Sequence, residues 1–331
     1  LYDNVRETYA GYRFEREEAV PGAFFEYTYK PKETFSLVAG IRTDYNSIYG
    51  LSFTPRLHGK YRFNQDKTAI RASAGMGRRT SNPLAQNQFI FASGREIKLQ
   101  MTDSTLAYGL EQEVAFNSGV SFEHEFRLTY MPATISIDYF NTTFFQEVVV
   151  DRETAGEVSF YNMKNGTRAN STQVQLDLTP ARRTEIRLAY RMFDVQSKYR
   201  FKGPFVPEVL AKPFISKHRA FINVTQRTRN DWQFSTTATW YGPQRIAGEY
   251  KYQVNSSIPV YSPDFYNWNA QVSKTFKKKF EVYVGGENLL NFRQENPIQE
   301  AANPFDQNFD AGLVWGPIFG RMVYGGFRLR I

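Results

Sequence analysis

The chain has 331 residues, of which 16% are aromatic and none is cysteine; its formal charge is +8 and its mean hydropathy is -0.51. The absence of cysteine excludes disulfide frameworks, thiolate zinc sites and thiol nucleophiles. No run of apolar residues approaches the roughly 18 that a membrane-spanning helix needs, which excludes an α-helical membrane protein.

Alternation of apolar and polar residues, the pattern of a β-strand with two unlike faces, recurs in about fourteen segments. In chain order the predicted strands lie near residues 5–17, 20–30, 33–46, 51–63, 66–79, 118–130, 132–151, 168–180, 182–197, 217–229, 231–242, 265–277, 279–290 and 320–331. Most exceed the usual five or six residues of a soluble strand. They match the roughly nine to eleven tilted residues that cross a bilayer.

The two faces of these strands differ in chemistry. The predicted outward residues are Phe53, Leu57, Tyr61, Phe63, Val120, Phe122, Phe126, Leu128, Tyr130, Val174, Leu176 and Leu178. The predicted inward residues are Arg56, His58, Lys60, Arg62, Glu123, Glu125, Arg127, Gln173, Gln175 and Asp177. A water-filled barrel accommodates such charges, whereas the dry core of a β-sandwich does not.

The connections alternate between short and long. Short turns are predicted at residues 31–32, 64–66, 131–132, 180–182, 230–231 and 277–279, and long loops near 80–117, 152–167, 198–216, 243–264 and 291–319. Outer-membrane barrels have short periplasmic turns and long extracellular loops, so the alternation predicts which end faces outward. Aromatic residues near strand ends are expected to form interface girdles: Tyr27, Tyr29, Tyr61, Phe63, Trp240, Tyr241, Tyr266 and Trp268.

Open sheet edges are not tolerated in hydrocarbon, so the barrel must close. The alternation of residues leaves two solutions open at this point. Either the strands close on themselves, or strands supplied from elsewhere complete the barrel.

Several motifs resemble the TonB-dependent outer-membrane receptors, most closely the type found in Bacteroidetes. Those near the carboxy terminus are Gly285-Gly286-Glu287-Asn288-Leu289-Leu290-Asn291-Phe292, Asn296-Pro297-Ile298, Asn303-Pro304-Phe305, Phe309-Asp310, Trp315-Gly316-Pro317 and Gly320-Arg321. The earlier ones are Phe53-Thr54-Pro55-Arg56-Leu57, Ile70-Arg71-Ala72-Ser73-Ala74-Gly75, Arg78-Arg79-Thr80, Val148-Val149-Val150-Asp151, Tyr161-Asn162 and Lys217-His218-Arg219-Ala220.

The resemblance implies an all-β transmembrane barrel of 22 antiparallel strands filled by an amino-terminal plug. Residues 1–331 would be the carboxy-terminal portion of the barrel domain and supply about its last fourteen strands. The plug, the TonB box and about eight strands would lie upstream of Leu1. The implied location is the outer membrane of a Gram-negative bacterium.

Enzymatic chemistry finds no support in the sequence. The three histidines are scattered and show no metal-ligand spacing, no motif marks a serine nucleophile beside a base, and no cofactor is expected. The basic residues are spread along strands and loops rather than clustered as in nucleic-acid binding proteins, apart from Lys277-Lys278-Lys279, which is predicted to form a turn.

Candidate functional residues lie on the long loops and on the inward face. Aromatic and basic side chains suited to stacking and anion contacts make up the predicted ligand-binding set: Phe89, Phe91, Arg95, Arg245, Tyr250, Tyr252 and Trp315. Interface anchoring or loop–loop packing is the alternative role for each. Inward Arg56, Lys60 and Arg62 are predicted to face the plug, with solvation in the lumen as their alternative.

The resemblance therefore implies an active-transport receptor that binds a scarce solute at its outer loops and imports it. Its expected partners are TonB, reached through the upstream plug and TonB box, outer-membrane lipids and lipopolysaccharide, the small solute, and a surface lipoprotein. Two alternatives stay open: a passive, self-closed channel of fourteen strands, and a barrel that serves as a scaffold in a surface assembly. The solute itself is not specified by the loop composition.

Overall fold

The structure is a computed structural model that describes residues 1–9, 11–154, 156–200, 208–247 and 260–329. In chain order the strands are β1 (Tyr2–Tyr9), β2 (Tyr12–Ala19), β3 (Gly22–Lys32), β4 (Phe35–Asn46), β5 (Gly50–Phe63), β6 (Thr68–Arg79), β7 (Glu96–Gln100), β8 (Glu113–Leu128), β9 (Met131–Asp151), β10 (Glu157–Lys164), β11 (Arg168–Ala181), β12 (Thr184–Tyr199), β13 (Glu208–Ala211), β14 (His218–Arg227), β15 (Trp232–Tyr241), β16 (Phe265–Phe276), β17 (Phe280–Glu287) and β18 (Met322–Leu329). One short α-helix, α1 (Pro83–Gln86), and two 3-10 helices (Gln88–Ala92 and Ala107–Gly109) lie between β6 and β8.

Thirteen strands form one continuous antiparallel path in the described part of the chain. The path runs from β3 through β4, β5, β6, β8, β9, β11, β12, β14, β15, β16 and β17 to β18, and β7, β10 and β13 attach beside it. Each predicted strand from residue 20 onward corresponds to one strand of this path, so the prediction of a large antiparallel sheet is confirmed. Among the described helices none is long and apolar enough to cross a membrane.

Cross-strand register separates an apolar face from a polar one. One row of directly paired residues, from β5 to β12, is apolar: Tyr61, Ile70, Phe122, Ile137, Val174 and Tyr190. The adjacent row across the same six strands is polar: Lys60, Arg71, Ser121, Asp138, Gln173 and Arg191. A shift of one residue exchanges the faces of a strand, so this register is strongly specified when one face meets lipid. The predicted outward and inward sets are confirmed, except that Tyr130 lies in the β8–β9 turn and not on a strand face.

The apolar face stays exposed in the isolated chain, as a lipid-facing belt must. Phe53 is 51% exposed, Tyr61 49% and Val284 55%. The aromatic residues predicted for the girdles lie on this face, with one exception. Tyr241 pairs directly with Phe265 on the polar face and stacks on its ring at 4.7 Å between centroids. Its neighbour Trp240 points outward as predicted, paired with Tyr266.

The amino-terminal segment departs from the prediction of a single strand at 5–17. It forms a hairpin in which β1 pairs with β2 outside the main sheet. The reason is local: Gly11 has φ of +83°, a left-handed conformation that glycine adopts readily and that turns the chain back on itself. Tyr9 and Phe14 of the hairpin pack against a hydrophobic cluster in the long loops.

The main hydrophobic core lies at the long-loop end and not between the barrel strands. It consists of Leu84, Ile90, Ile97, Ala107, Tyr108, Leu110, Val148, Val158 and Phe160. Short strands within the predicted loops build it: β10 pairs in parallel with β7 and antiparallel with β9. The long loops are therefore folded against one another, and we call this unit the loop cap (β1, β2 and the connections 80–112, 152–167, 242–247, 260–264 and 288–321).

Short turns occupy the opposite end of the strands. Several of their residues have positive φ, namely Asn64, Gln65, Asp66, Thr129, Arg183, Asp231, Lys277 and Lys278. In the β16–β17 turn the amide of Lys279 donates to the carbonyl of Phe276 at 3.0 Å. Two central residues with positive φ inside such a hydrogen-bonded turn are the signature of type I′.

The two edges of the sheet are unpaired among the described residues. β3 pairs with β4 alone and β18 with β17 alone, so the sheet does not close on itself. Open edges are not tolerated in hydrocarbon. The arrangement fits a partial barrel completed by further strands, and it disfavours the self-closed channel.

Candidate functional site

The loop cap is organised around the end of β9, where residues 151–154 leave the sheet. We call this segment the β9 tip. Three of its residues, Arg152, Glu153 and Thr154, contact side chains from four other connections, namely Arg95, Phe214, Arg245 and Asp310. A single short segment therefore holds the long loops together.

Asp310 provides the first of these links. Its carboxylate accepts a hydrogen bond from Nε of Arg95 at 2.7 Å and another from Arg152 at 3.2 Å. Arg95 also donates to the backbone carbonyls of Thr154 at 3.1 Å and Glu157 at 2.9 Å. All three charged side chains are nearly inaccessible to water, with exposed fractions of 4% for Arg95, 8% for Arg152 and 1% for Asp310.

Two aromatic rings flank the guanidinium of Arg152. The centroid of Phe89 lies 3.9 Å from it and that of Phe214 lies 5.0 Å away. A planar, weakly hydrated guanidinium stacks well on aromatic faces. Phe89 therefore acts in the cap as a packing partner of Arg152, and it connects the 80–112 loop to the β9 tip.

Glu153 and Arg245 form the second link. Two guanidinium nitrogens of Arg245 donate to the two carboxylate oxygens of Glu153, at 2.9 and 2.5 Å, and Nε donates to the carbonyl of Ala211. Both side chains are buried. Burial lowers the pKa of Arg245, but the hydrogen bond to Glu153 and the charge of Glu153 outweigh this effect, so the pKa of Arg245 lies above its usual value.

Asp151 completes the tip through Tyr161 on β10. The phenol of Tyr161 donates to Asp151 at 2.7 Å and accepts the backbone amide of Arg200 at 2.8 Å. Burial raises the pKa of Asp151, in spite of hydrogen bonds from Glu153 and Tyr161 that act in the opposite direction.

Four tyrosines that lie in the loop cap or pack against it are expected to make the cap less stable at alkaline pH. Burial raises the pKa of Tyr49 to about 12, and it also raises that of Tyr108, Tyr161 and Tyr199. Their phenols ionise at a pH of about 10 in unfolded chains, so their stabilising effect is complete below that pH and is lost as the pH rises through the folded values. We expect the absorbance of ionised tyrosine at 295 nm to show a late step that coincides with unfolding of the cap.

Tyr49→Phe should remove part of that late step, since the Tyr49 phenol donates to the carbonyl of Leu110 at 3.0 Å inside the cap. Tyr130→Phe is the control for loss of one tyrosine, because Tyr130 is 92% exposed on a short turn. A titration in which Tyr49→Phe and Tyr130→Phe change the same part of the curve would contradict the burial argument.

The structure brings three of the predicted ligand-binding residues to the β9 tip, namely Phe89, Arg95 and Arg245. Trp315 lies in an aromatic group beside them, 6.0 Å from the ring of Phe265, and its carbonyl accepts a hydrogen bond from Gln244 at 2.9 Å. Phe91 is 53% exposed and packs edge-on against Tyr9. Tyr250 and Tyr252 lie outside the described residues. A role of these residues in ligand binding stays a prediction.

The predicted plug-facing residues lie together on the polar face of β5, away from the cap. Arg56 pairs with Glu26, and Arg62 donates to the carbonyl of Glu33 at 3.0 Å. Lys60 has no ion pair among the described residues and borders a recess of about 300 Å³ that also contains His58 and Arg71. No group of described side chains has the arrangement of a metal site.

Sequence reasoning missed the residues that hold the cap together, chiefly Arg152, Glu153 and Asp310. Two signals pointed near them. Val148-Val149-Val150-Asp151 and Phe309-Asp310 are both motifs of the family resemblance, and both end at residues of this network. Their partners are up to 215 positions away in the chain, so alternation along a strand does not reveal the pairing.

Comparison with known proteins agrees with this geometry. The family model described as "TonB dependent receptor-like, beta-barrel" matches residues 1–289. The chain belongs to the TonB-dependent receptor family. It is an outer-membrane β-barrel chain of a Gram-negative bacterium. No curated protein sequence matches it significantly. The narrower likeness to receptors of Bacteroidetes stays a prediction.

Solved structures of TonB-dependent receptors share the fold at low sequence identity. The ferric enterobactin receptor PfeA of Pseudomonas aeruginosa, solved with enterobactin, superposes with a TM-score of 0.68 at 15% identity over 95% of this chain and 46% of that one. The siderophore receptor PirA of Acinetobacter baumannii gives 0.65 at 14% identity over 95% and 46%. The ferric-catecholate import receptor Fiu of E. coli K12 gives 0.65 at 11% over 97% and 46%. This family member thus spans about half the length of these receptors.

Proposed function

We propose that the chain is the carboxy-terminal barrel portion of an active-transport receptor, which binds a scarce solute at its loop cap and imports it. A solute held at the outer face would pass through the barrel when TonB, acting through an upstream plug and TonB box, opens a path. The chemistry is binding and permeation rather than catalysis. The observation that carries the proposal is a sheet with a lipid-facing belt whose long loops converge at one end into a folded cap.

The predicted site residues divide into two groups under this proposal. Phe91 and Trp315 retain accessible aromatic surface at the cap and are proposed to contact the solute, together with Tyr250 and Tyr252. Arg95, Arg245 and Phe89 are engaged at the β9 tip and are proposed to position the contact residues. Arg56, Lys60 and Arg62 are proposed to face the plug, because they share the polar face of β5.

A ferric siderophore is the proposed class of solute. The supporting observation is that the three structural neighbours are receptors for siderophores or ferric catecholates. Exposed aromatic rings at the cap are suited to stacking on catecholate rings. Outer-membrane lipids, lipopolysaccharide and a surface lipoprotein complete the proposed partners.

Uptake in whole cells tests the proposal. The full-length gene is expressed in a host without its own siderophore receptors, with and without TonB, and accumulation of ⁵⁵Fe-labelled ferric enterobactin is measured beside ferric citrate and cobalamin. We expect uptake of one probe to require both the receptor and TonB. Uptake that persists without TonB, with steady conductance of the purified protein in planar bilayers, would favour a passive channel. Stable partner chains that copurify while no probe is taken up would favour a scaffold.

A further inference from the structure

The rim at the short-turn end carries a concentration of positive charge. The turns β11–β12, β14–β15 and β16–β17 are neighbours along the rim, because these six strands are consecutive in the sheet. Six exposed cations in them form no ion pair with a described residue: Arg182, Arg183, Arg229, Lys277, Lys278 and Lys279. Asp231 is the single acidic residue of the three turns. We call this surface the basic rim.

Backbone conformation suggests that these charges serve a purpose other than folding. Lys277 and Lys278 have φ of 48° and 59°, and Arg183 has φ of 70°. Residues with a β-carbon rarely adopt this region, and type I′ turns strongly prefer asparagine followed by glycine. Lysine at both central positions makes the turn less stable than asparagine followed by glycine would, but adds two positive charges. Unfavourable backbone positions of this kind point to a function.

The lipid-facing side of the same turns shows where the rim lies relative to the bilayer. Lys274 is on the outward face of β16, and its ammonium lies 5.4 Å from the ring of Trp232 and 5.7 Å from that of Phe276. Aromatic rings and long cationic side chains take this arrangement at the level of lipid headgroups. The turns beyond Lys274 therefore lie in or just below the headgroup layer.

We propose that the basic rim binds the anionic phospholipid headgroups of the leaflet at the short-turn end. Adjacent turns are separated by two strand spacings, about 10 Å, so the three turns span several headgroups. The charges line the continuous margin of the lipid belt, which is where headgroups lie. Cationic segments beside a membrane are attracted to anionic lipid surfaces. The inference depends on the location of the barrel in a bilayer and not on the import of a solute.

A pair of variants separates charge from folding. Lys277→Asn with Lys278→Gly installs the preferred turn and removes two charges, so we expect equal or higher thermal stability with a weaker preference for anionic lipid. Arg182→Gln, Arg183→Gln and Arg229→Gln together remove three charges of the neighbouring turns. The matched control, Arg78→Gln with Lys164→Gln and Lys198→Gln, removes three cations toward the other end of the strands.

The full-length receptor in detergent is mixed with phosphatidylglycerol or phosphatidylcholine, and native mass spectrometry counts the bound lipids. Loss of each cation should reduce the preference for phosphatidylglycerol by up to about fivefold at low salt, and the control should leave it unchanged. An unchanged preference in both rim variants would overturn the proposal. So would rim variants that keep the preference but lose binding to purified peptidoglycan, which would assign the rim to an acidic polymer. Uptake is assayed separately, so failure of import does not affect this measurement.

Discussion

Asp310→Ala is expected to destabilise the loop cap by about 3–5 kcal/mol, the usual cost of removing one partner from a buried ion pair. Asp310 is 1% exposed and is the shared partner of two buried guanidiniums, Arg95 and Arg152. Its removal takes the carboxylate that these two guanidiniums share out of a water-excluded place. The rest of the sheet should remain intact, because the barrel strands do not depend on this contact.

Hydrogen exchange of two amides measures the effect directly. The amide of Gly94 donates to the carbonyl of Phe309 at 2.8 Å and that of Ala311 to the carbonyl of Ala92 at 2.9 Å, so both report on the junction of these two loops. Their exchange should accelerate by about a hundredfold or more. Glu295→Ala in the same loop is the control, since Glu295 is exposed and has no described ion pair. Equal protection in Asp310→Ala and the parent protein would refute a structural role for the network.

Arg245→Ala and Glu153→Ala should each weaken the cap by about 3–5 kcal/mol, and the double variant by clearly less than their sum. The reason is the bidentate, buried geometry of the pair: once one side chain is gone, the other has already lost this interaction, so its removal costs less. A double-mutant cycle, measured by thermal unfolding or by protease resistance, gives the interaction free energy between Arg245 and Glu153. The exposed pair Arg13–Glu15, at 2.6 Å, is the matched control and should show little coupling.

The same cycle decides what Arg245 does in uptake. If it positions other residues through Glu153, both single variants and the double variant should reduce uptake to the same extent. If Arg245 contacts the solute, Glu153→Ala still retains the guanidinium and should reduce uptake less than Arg245→Ala does. The two variants should then differ in the apparent affinity of uptake for the solute. Strictly additive effects on stability would show that the two side chains do not interact as the structure indicates.

The sheet was predictable because one physical constraint acts on every strand. Lipid on one face and water on the other force the alternation that places Tyr61 outward and Lys60 inward, and register propagates it to their neighbours. The hairpin at the amino terminus shows the limit of that signal. The alternation through residues 5–17 does not distinguish one long strand from two strands of a hairpin. The turn depends on the local backbone conformation at Gly11.

The loop cap was not predictable in the same way. Its core unites residues as far apart in sequence as Leu84 and Phe160, and its ion pairs join Arg95 to Asp310. Such pairs become buried when the loops pack together in three dimensions. That packing leaves no periodic pattern of residues in the sequence. Arg95 and Arg245 were identified by residue type as candidates for ligand contact, but residue type does not distinguish an accessible arginine from one enclosed with a carboxylate.

The β9 tip also bears on how the ligand specificity of receptors of this kind can change during evolution. Because Asp151, Arg152 and Glu153 join the long loops through buried contacts, a side chain that takes no part in these contacts, such as the fully exposed Phe305, can be replaced without loosening the cap. A change of ligand specificity then requires substitutions only at the exposed surface of the loop cap. We expect related receptors with different ligands to differ first at that exposed surface and to retain the buried contacts of the β9 tip.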